Sequence, residues 1–353
     1  MTALPFRLGY LTHLDGVEDP EDLYDYTLEI ARLAESLGYD ALWISERHFH
    51  DGFAGVADGL TFLAAVAAVT RRIHLGTAIV PAPLWRPVEL AERAGIVDAL
   101  SRGRLEFGIG LGNPGSVWRL LGVEHDRKRE LTDETEASLH RLLDGEVLDE
   151  RGSRVFPPRP QLRDRIWRAT ADLGSAALAG SHGDGLLLPR ARYGAPEEIG
   201  PWHRRVAQAY AAELPAGRRP RVGLSRTLFP SSSRAQALAE LEAGTRRWNR
   251  DYNAGVPDGG QGRTLERLLS DDHVGYGTPD DLIAWLRDDV SLPFVSDLIV
   301  GFQPAVTTFE QEAAKLATLA TEVAPALGWH PAPRGGAYRV PEPAGWQTAD
   351  ALR

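Results

Sequence analysis

Residues 73–110 spell out one complete strand–helix–strand unit, and that unit limits the folds open to the rest of the chain. Residues 73–80 (IHLGTAIV) are rich in β-branched side chains and almost wholly apolar, the pattern of a strand covered on both faces in a parallel sheet. The Pro-rich stretch 81–87 (PAPLWRP) breaks that run, and residues 88–100 then place Leu90, Ala91, Ala94, Val97 and Leu100 at helical spacing. Ser101-Arg102-Gly103-Arg104 turns the chain into a second apolar strand over 105–110. Two parallel strands need such a crossover, and the helix then covers the sheet.

The alternation continues through most of the 353 residues. Strands are expected over 6–11, 40–45, 73–80, 105–110, 166–171, 184–189, 221–229 and 297–302. Helices are expected over 20–37, 59–71, 88–100, 129–143, 175–181, 197–213, 234–247 and 309–327. Gly38 stands where a left-handed terminator of the first helix belongs. Eight strand–helix repeats without a strong linker predict an α/β fold of the (β/α)8 TIM-barrel type over residues 1–328. A doubly wound sheet is the alternative, and it needs a switch point that the pattern does not supply. Residues 146–156, with Arg151-Gly152 at the tip, read as a hairpin excursion, and the polar, Gly-rich segment 249–277 as a long loop before strand eight. The Pro/Gly-rich tail 329–353 reads as a C-terminal surface arm.

The net charge of −10, with no basic run, argues against a nucleic-acid partner. Of the 39 basic residues only Lys128 and Lys315 are lysines. The chain has no cysteine, which removes disulfides, thiolate nucleophiles and Cys-ligated metals. The longest apolar stretch, 62–69, is far too short for a bilayer, and the first residues lack a secretory pattern. A soluble, cytoplasmic protein with no membrane partner is the expectation.

In an α/β barrel the residues just after each strand's C-terminal end form the active-site mouth. Four segments there carry chemistry. Glu46-Arg47-His48-Phe49-His50-Asp51 follows strand two. Its H-x-H spacing suits a barrel metal hydrolase only with further ligands at later strand ends. Asp172, His182 and Asp184 form no such pattern, so no metal is predicted, and a structural pair competes with a polar catalytic cluster. Gly110-Leu111-Gly112-Asn113-Pro114-Gly115 fits a dinucleotide string only if a helix opens there. With Pro114 intervening, a Gly-rich mouth loop that lets a flat ligand approach the backbone is preferred. Thr170-Ala171-Asp172-Leu173-Gly174-Ser175 runs into a helix start, which suits either a phosphate or a plain N-cap. Trp85, Trp118, Trp202 and Trp248 lie in or beside loops, as ligand walls or as packing. Asp58, His74 and Glu106 read as structural.

Taken with Gly76-Thr77-Ala78, Pro87-Val88, Ala91-Glu92, Gly103-Arg104, Phe107-Gly108-Ile109, Gly277-Thr278-Pro279 and Gly301-Phe302, these segments give a chain that resembles the bacterial luciferase-like flavin monooxygenases over about residues 6–327. The resemblance implies a (β/α)8 barrel that binds FMN at its C-terminal mouth and uses reduced FMN with oxygen on a small organic substrate. It also implies a flavin reductase partner and a homodimer. By the same resemblance Glu46 is a carboxylate near the flavin, and Ala78 and Ile79 are the backbone beside the ring, at a non-proline cis peptide. Gly110, Leu111 and Asn113 form the loop under the ring. Thr170 and Asp172 stand at the flavin side, Gly174 and Ser175 at the phosphate, Arg190 at the end of strand six and Trp248 near the pocket. Arg47 replaces the base histidine of luciferase, Gly110 its reactive cysteine and Leu111 its phosphate-clamping arginine, while 249–273 shortens its lid. Light emission is therefore not implied. His48 becomes the acid/base candidate, Arg47 an electrostatic one, and Arg190 or another arginine the phosphate partner. A deazaflavin-dependent hydride-transfer dehydrogenase of the same superfamily, and a flavin-binding protein without turnover, are the alternatives.

Overall fold

The computed structural model describes residues 6–15, 17, 19–49, 55–112, 116–191, 198–251, 261–305, 307–332, 341 and 343–346. Its ten strands are β1 (Arg7–Thr12), β2 (Ala41–Ile44), β3 (His74–Thr77), β4 (Val80–Pro81), β5 (Leu105–Gly110), β6 (Ile166–Ala169), β7 (Gly185–Leu188), β8 (Val222–Pro230), β9 (Val274–Gly277) and β10 (Asp297–Gly301). Eight of them close a parallel barrel in the order β1-β2-β3-β5-β6-β7-β8-β10. Closure is made where Asp297 pairs with Arg7 on one side and Gly223 on the other. The crossover helices include α1 (Pro20–Leu37), α2 (Gly59–Val69), α3 (Pro87–Leu100), α4 (Ser116–Leu120), α5 (Lys128–Leu143), α6 (Leu173–His182), α7 (Ile199–Ala212) and α8 (Arg234–Asp251). Then follow α9 (Leu265–Asp271), α10 (Pro279–Asp288) and α11 (Phe309–Thr318). Helix α1 is capped by the Asp19 carboxylate on the Glu21 and Asp22 amides and ended by Gly38 at φ +91°.

Two tryptophans pack the barrel interior. Trp43 and Trp167 meet edge to face at 5.7 Å, in a cluster with Leu11, Ala41, Leu187 and Ile299 that is separate from the core under the helices. A Cβ on Gly76 would lie 2.1 Å from Trp43, and one on Gly185 2.3 Å from Trp167. The glycines of strands three and seven are therefore room for indoles. Below them, Glu106 binds Arg7 at 3.2 Å, His74 at 2.9 Å and the Trp167 indole nitrogen at 2.7 Å, and Arg7 pairs with Asp297. Burial alone would raise the Glu106 carboxyl, but Arg7 and the hydrogen-bonded His74 outweigh it and hold it at about 2. This ionic plug fills the N-terminal end, so access is from the opposite mouth.

Three expectations need correction. The strand expected over 73–80 stops at Thr77; the Ala78–Ile79 peptide is cis, and pairing resumes as the short β4 against β5. The hairpin expected over 146–156 contains no strand. There the Asp149 carboxylate takes the Arg151 and Ser153 amides in a local turn, and Val147, Leu148 and Phe156 stay exposed with no sheet face to alternate against. The long loop expected over 249–277 contains α9 and β9, and among the described residues β9 pairs only with the far end of β8, Thr227 to Pro230. In the tail, buried Trp329 donates to Asp40 at 2.8 Å and Trp346 to the Phe294 carbonyl at 3.0 Å. Among the described residues no helix is long and apolar enough to cross a membrane.

Candidate active site

A cavity of about 700 Å³ opens at the C-terminal ends of the strands, within the range of small-molecule sites. Its floor is Leu11, Ala78, Ile79, Ala169, Leu187 and Ile299, directly above the tryptophan layer. Glu46, Arg47, Ala78, Ile79, Thr170, Asp172, Arg190 and Trp248, all marked by sequence, line it together. Glu46 is buried and held in place, accepting the Gly59 amide at 3.0 Å and the Trp85 indole at 3.2 Å.

Four expected residues do not line it. His48 sits 3.5 Å behind Glu46 and beside the ring of Trp85, and the chain then turns at Phe49, φ +60°. Gly110 is packed shut, since a Cβ there would lie 3.1 Å from Ile79 and 3.3 Å from Ala169. Gly110 therefore offers no open room to a flat ligand. Gly112 lines the cavity, but its φ of +73° and the 2.6 Å that would separate a Cβ from Pro81 show a turn against that proline. Gly174 and Ser175 lie behind the lining at the start of α6. Asn113 and His50 lie outside the described residues.

The α6 start shows the N-cap of the two readings of its sequence directly. Asp172 caps the helix, accepting the Ser175 amide at 2.9 Å. Arg129, from the first turn of α5, reaches across to Asp172 at 3.2 Å and to the Ser175 hydroxyl at 3.1 Å. Arg168 donates to that same hydroxyl at 3.1 Å. A hydroxyl accepting from two guanidiniums has its own proton left to donate. The Leu173 and Gly174 amides occupy the first helical turn, where no intrahelical acceptor exists. The rim here brings a helix N-terminus together with a cation, Arg129, that no strand-end rule could find.

On the opposite side Arg190 leaves β7 and leans over β8 towards the end of β10. It donates to the Thr227 hydroxyl at 3.2 Å and the Gln303 carbonyl at 3.0 Å, and lies 4.6 Å over the Trp248 ring. His13, just past β1, lines the same end. Burial, with Arg190 and Arg47 nearby, pushes its imidazole down to about 3, so it is neutral at physiological pH. The only sequence mark of His13 is its place just past a strand end, the same position that singles out Glu46. Asp15 beside it is raised to about 6 by burial, against the lowering effect of its 3.1 Å bond from Gln303.

A second polar cluster, Glu136, His140, His182 and Asp184, lies away from the mouth. It is paired internally, His182 to Glu136 and His140 to Asp184 at 2.8 Å each, with Arg168 and Arg163 on the outer carboxylate oxygens.

Residues 4–295 match the family model described as luciferase-like monooxygenase. The chain belongs to that family. It is 32% identical over 297 residues to the 4-hydroxyprotoasukamycin monooxygenase of Streptomyces nodosus subsp. asukaensis, covering 77% of this chain and 78% of that one. The oxygenating constituent of 3,6-diketocamphane monooxygenase from Pseudomonas putida, solved with FMN, superposes with a TM-score of 0.71 at 18% identity, over 92% of this chain and 99% of that one. An F420-dependent secondary alcohol dehydrogenase superposes at 0.67 and 16% identity, over 92% and 99%. At these identities the two structures share the fold of this luciferase-like monooxygenase.

Proposed function

We propose that the cavity binds FMN and that the protein oxygenates a small organic substrate with reduced FMN and oxygen. The observation that carries this reading is the pairing of an apolar floor with the Arg129–Ser175 rim at the α6 N-terminus. That donor set fits a phosphate, and the floor fits a planar ring. Reduced FMN, when bound, supplies the electrons and the reaction with oxygen. The protein's residues do the rest. Arg129, Ser175 and the α6 amides hold the phosphate, and the floor keeps water from the buried face. Arg47 presents positive charge to the cavity, and His13, neutral but at about 3 too weak a base to take a proton, offers a hydrogen-bond acceptor there.

The description of the 3,6-diketocamphane monooxygenase structure as an oxygenating constituent supports a separate flavin reductase as partner. Ile96 and Leu100 on α3 and Phe156 beyond it, exposed by 49%, 57% and 75%, support a homodimer. The likeness to an F420-dependent dehydrogenase supports a second reading, hydride transfer to or from a deazaflavin. Titrating the protein with FMN, riboflavin and F420 and then mixing the reduced complex with oxygen separates them. FMN binding with oxygen consumption that depends on the protein is expected. Preference for F420 without oxygen consumption would favour the dehydrogenase, and no binding of either would refute both.

A further inference from the structure

Arg190 is 7% exposed and lines the cavity, yet its hydrogen-bond acceptors are uncharged. They are the Thr227 hydroxyl, the Gln303 carbonyl and, at 3.4 Å, the Gln303 side-chain oxygen. Among the described residues no carboxylate pairs with it. Other buried arginines of this chain have such partners, Arg226 with Asp289 at 2.8 Å and Arg168 with Glu136. A buried cation without a counter-charge is costly unless the space it faces supplies one. The neighbouring imidazole of His13 is neutral and supplies none.

The phosphate of a flavin is not the best candidate for that charge. The α6 N-terminus has its own cation in Arg129, bonded to Ser175. Arg190 is tied the other way, to β8 through Thr227 and to the segment after β10 through Gln303. We propose that the substrate of this cavity carries an anionic group, a carboxylate or an ionised hydroxyl, that pairs with Arg190. His13 then faces the same part of the substrate as a neutral acceptor. The inference rests on the reading of this cavity as the active site and names its substrate class.

The test uses carboxylates and their amides of equal shape: acetate with acetamide, benzoate with benzamide, and 2-naphthoate with 2-naphthamide. Each is titrated calorimetrically into the protein, both free and loaded with FMN. At least one carboxylate is expected to bind about tenfold or more tightly than its amide, the size of one charge-assisted contact. Arg190→Gln removes that preference, Arg190→Lys keeps part of it, and the Arg190 Nε resonance moves on carboxylate addition to the wild-type protein. The FMN-to-riboflavin affinity ratio stays at the wild-type value in Arg190→Gln. Absence of any carboxylate preference, its survival in Arg190→Gln, or a still Nε resonance overturns the proposal. A collapse of the FMN-to-riboflavin ratio overturns it too, by assigning Arg190 to the cofactor phosphate. Failure of the flavin reading is separate: it shows as no FMN binding, while the titration of free protein still decides the anion question.

Discussion

Asp172→Asn is expected to tighten FMN binding while leaving riboflavin binding unchanged. Asp172 occupies the helix end where the phosphate is placed, and its carboxylate is half-exposed, at 51%. The phosphate carries a charge of about −1.5 to −2. At a separation of about 5 Å in a water-like dielectric, the repulsion is about 1.2–1.7 kcal/mol. Physiological salt roughly halves it, leaving about a three- to fivefold effect on affinity. Asparagine caps a helix as well as aspartate does, so the bond from the Ser175 amide survives and stability changes by only about a few tenths of a kcal/mol. The exposed Arg129–Asp172 pair is worth about 1 kcal/mol at most, and its loss frees Arg129 for the phosphate. Fluorescence titrations with both flavins at low and high salt measure the effect, and the gain should shrink as salt rises. If FMN binds more weakly, or both flavins change alike, the phosphate is not at α6 and the reasoning fails.

Arg129→Gln should act in the opposite sense, weakening FMN by about tenfold or more with riboflavin unaffected, as the same titrations would show. Glu106→Gln keeps the shape but leaves Arg7 with Asp297 alone at the base of the barrel. It should cost about 3–5 kcal/mol in urea denaturation, and a loss below about 1 kcal/mol would contradict the plug described above. Asp15, raised to about 6 in the folded protein, favours folding most when protonated. That contribution is complete below its unfolded value near 4 and is lost as pH rises through 6. Asp15→Asn should therefore be more stable than wild type at pH 8, by about 1–2 kcal/mol after allowing for its partial exposure, with the gap closing below pH 4. A constant difference across that range in thermal melts would show that the carboxyl is not desolvated.

The eight barrel strands could be read from the sequence because each is a short apolar run between turn residues, and strand burial on both faces leaves that mark. Strand β9 left none: two of its four residues are glycine, and it exists only because β8 overhangs the barrel to receive it. The site followed the same division. Barrel topology alone carries Glu46, Arg47, Ala78, Thr170, Asp172 and Arg190 to the mouth, so strand-end position sufficed for them. Whether a side chain then faces the cavity depends on local turns. His48 packs against Glu46 and Trp85 instead, and the side chains of Ile79 and Ala169 crowd Gly110. Arg129 comes from a helix, and only tertiary packing brings it to Ser175.

The two cationic ends of the cavity make ligand orientation measurable in a single imidazole. His13 is held near 3 by burial first, and then by the positive field of Arg190 and Arg47. With the FMN phosphate at the Arg129 end, its charge is remote from His13, and FMN and riboflavin should displace the His13 titration alike. With the phosphate on Arg190, the dianion would cancel most of the field that lowers His13. FMN would then raise its pKa by about a unit or more relative to riboflavin, since one unit needs only about 1.4 kcal/mol. NMR titration of labelled histidine with each flavin distinguishes the cases. Parallel shifts are expected, and a rise specific to FMN would reverse the assignment of both ends. A carboxylate such as benzoate should produce that rise in the FMN complex, because Arg190 is then the partner of the anion. The same resonance thus tests where the cofactor phosphate goes and which end remains for the substrate.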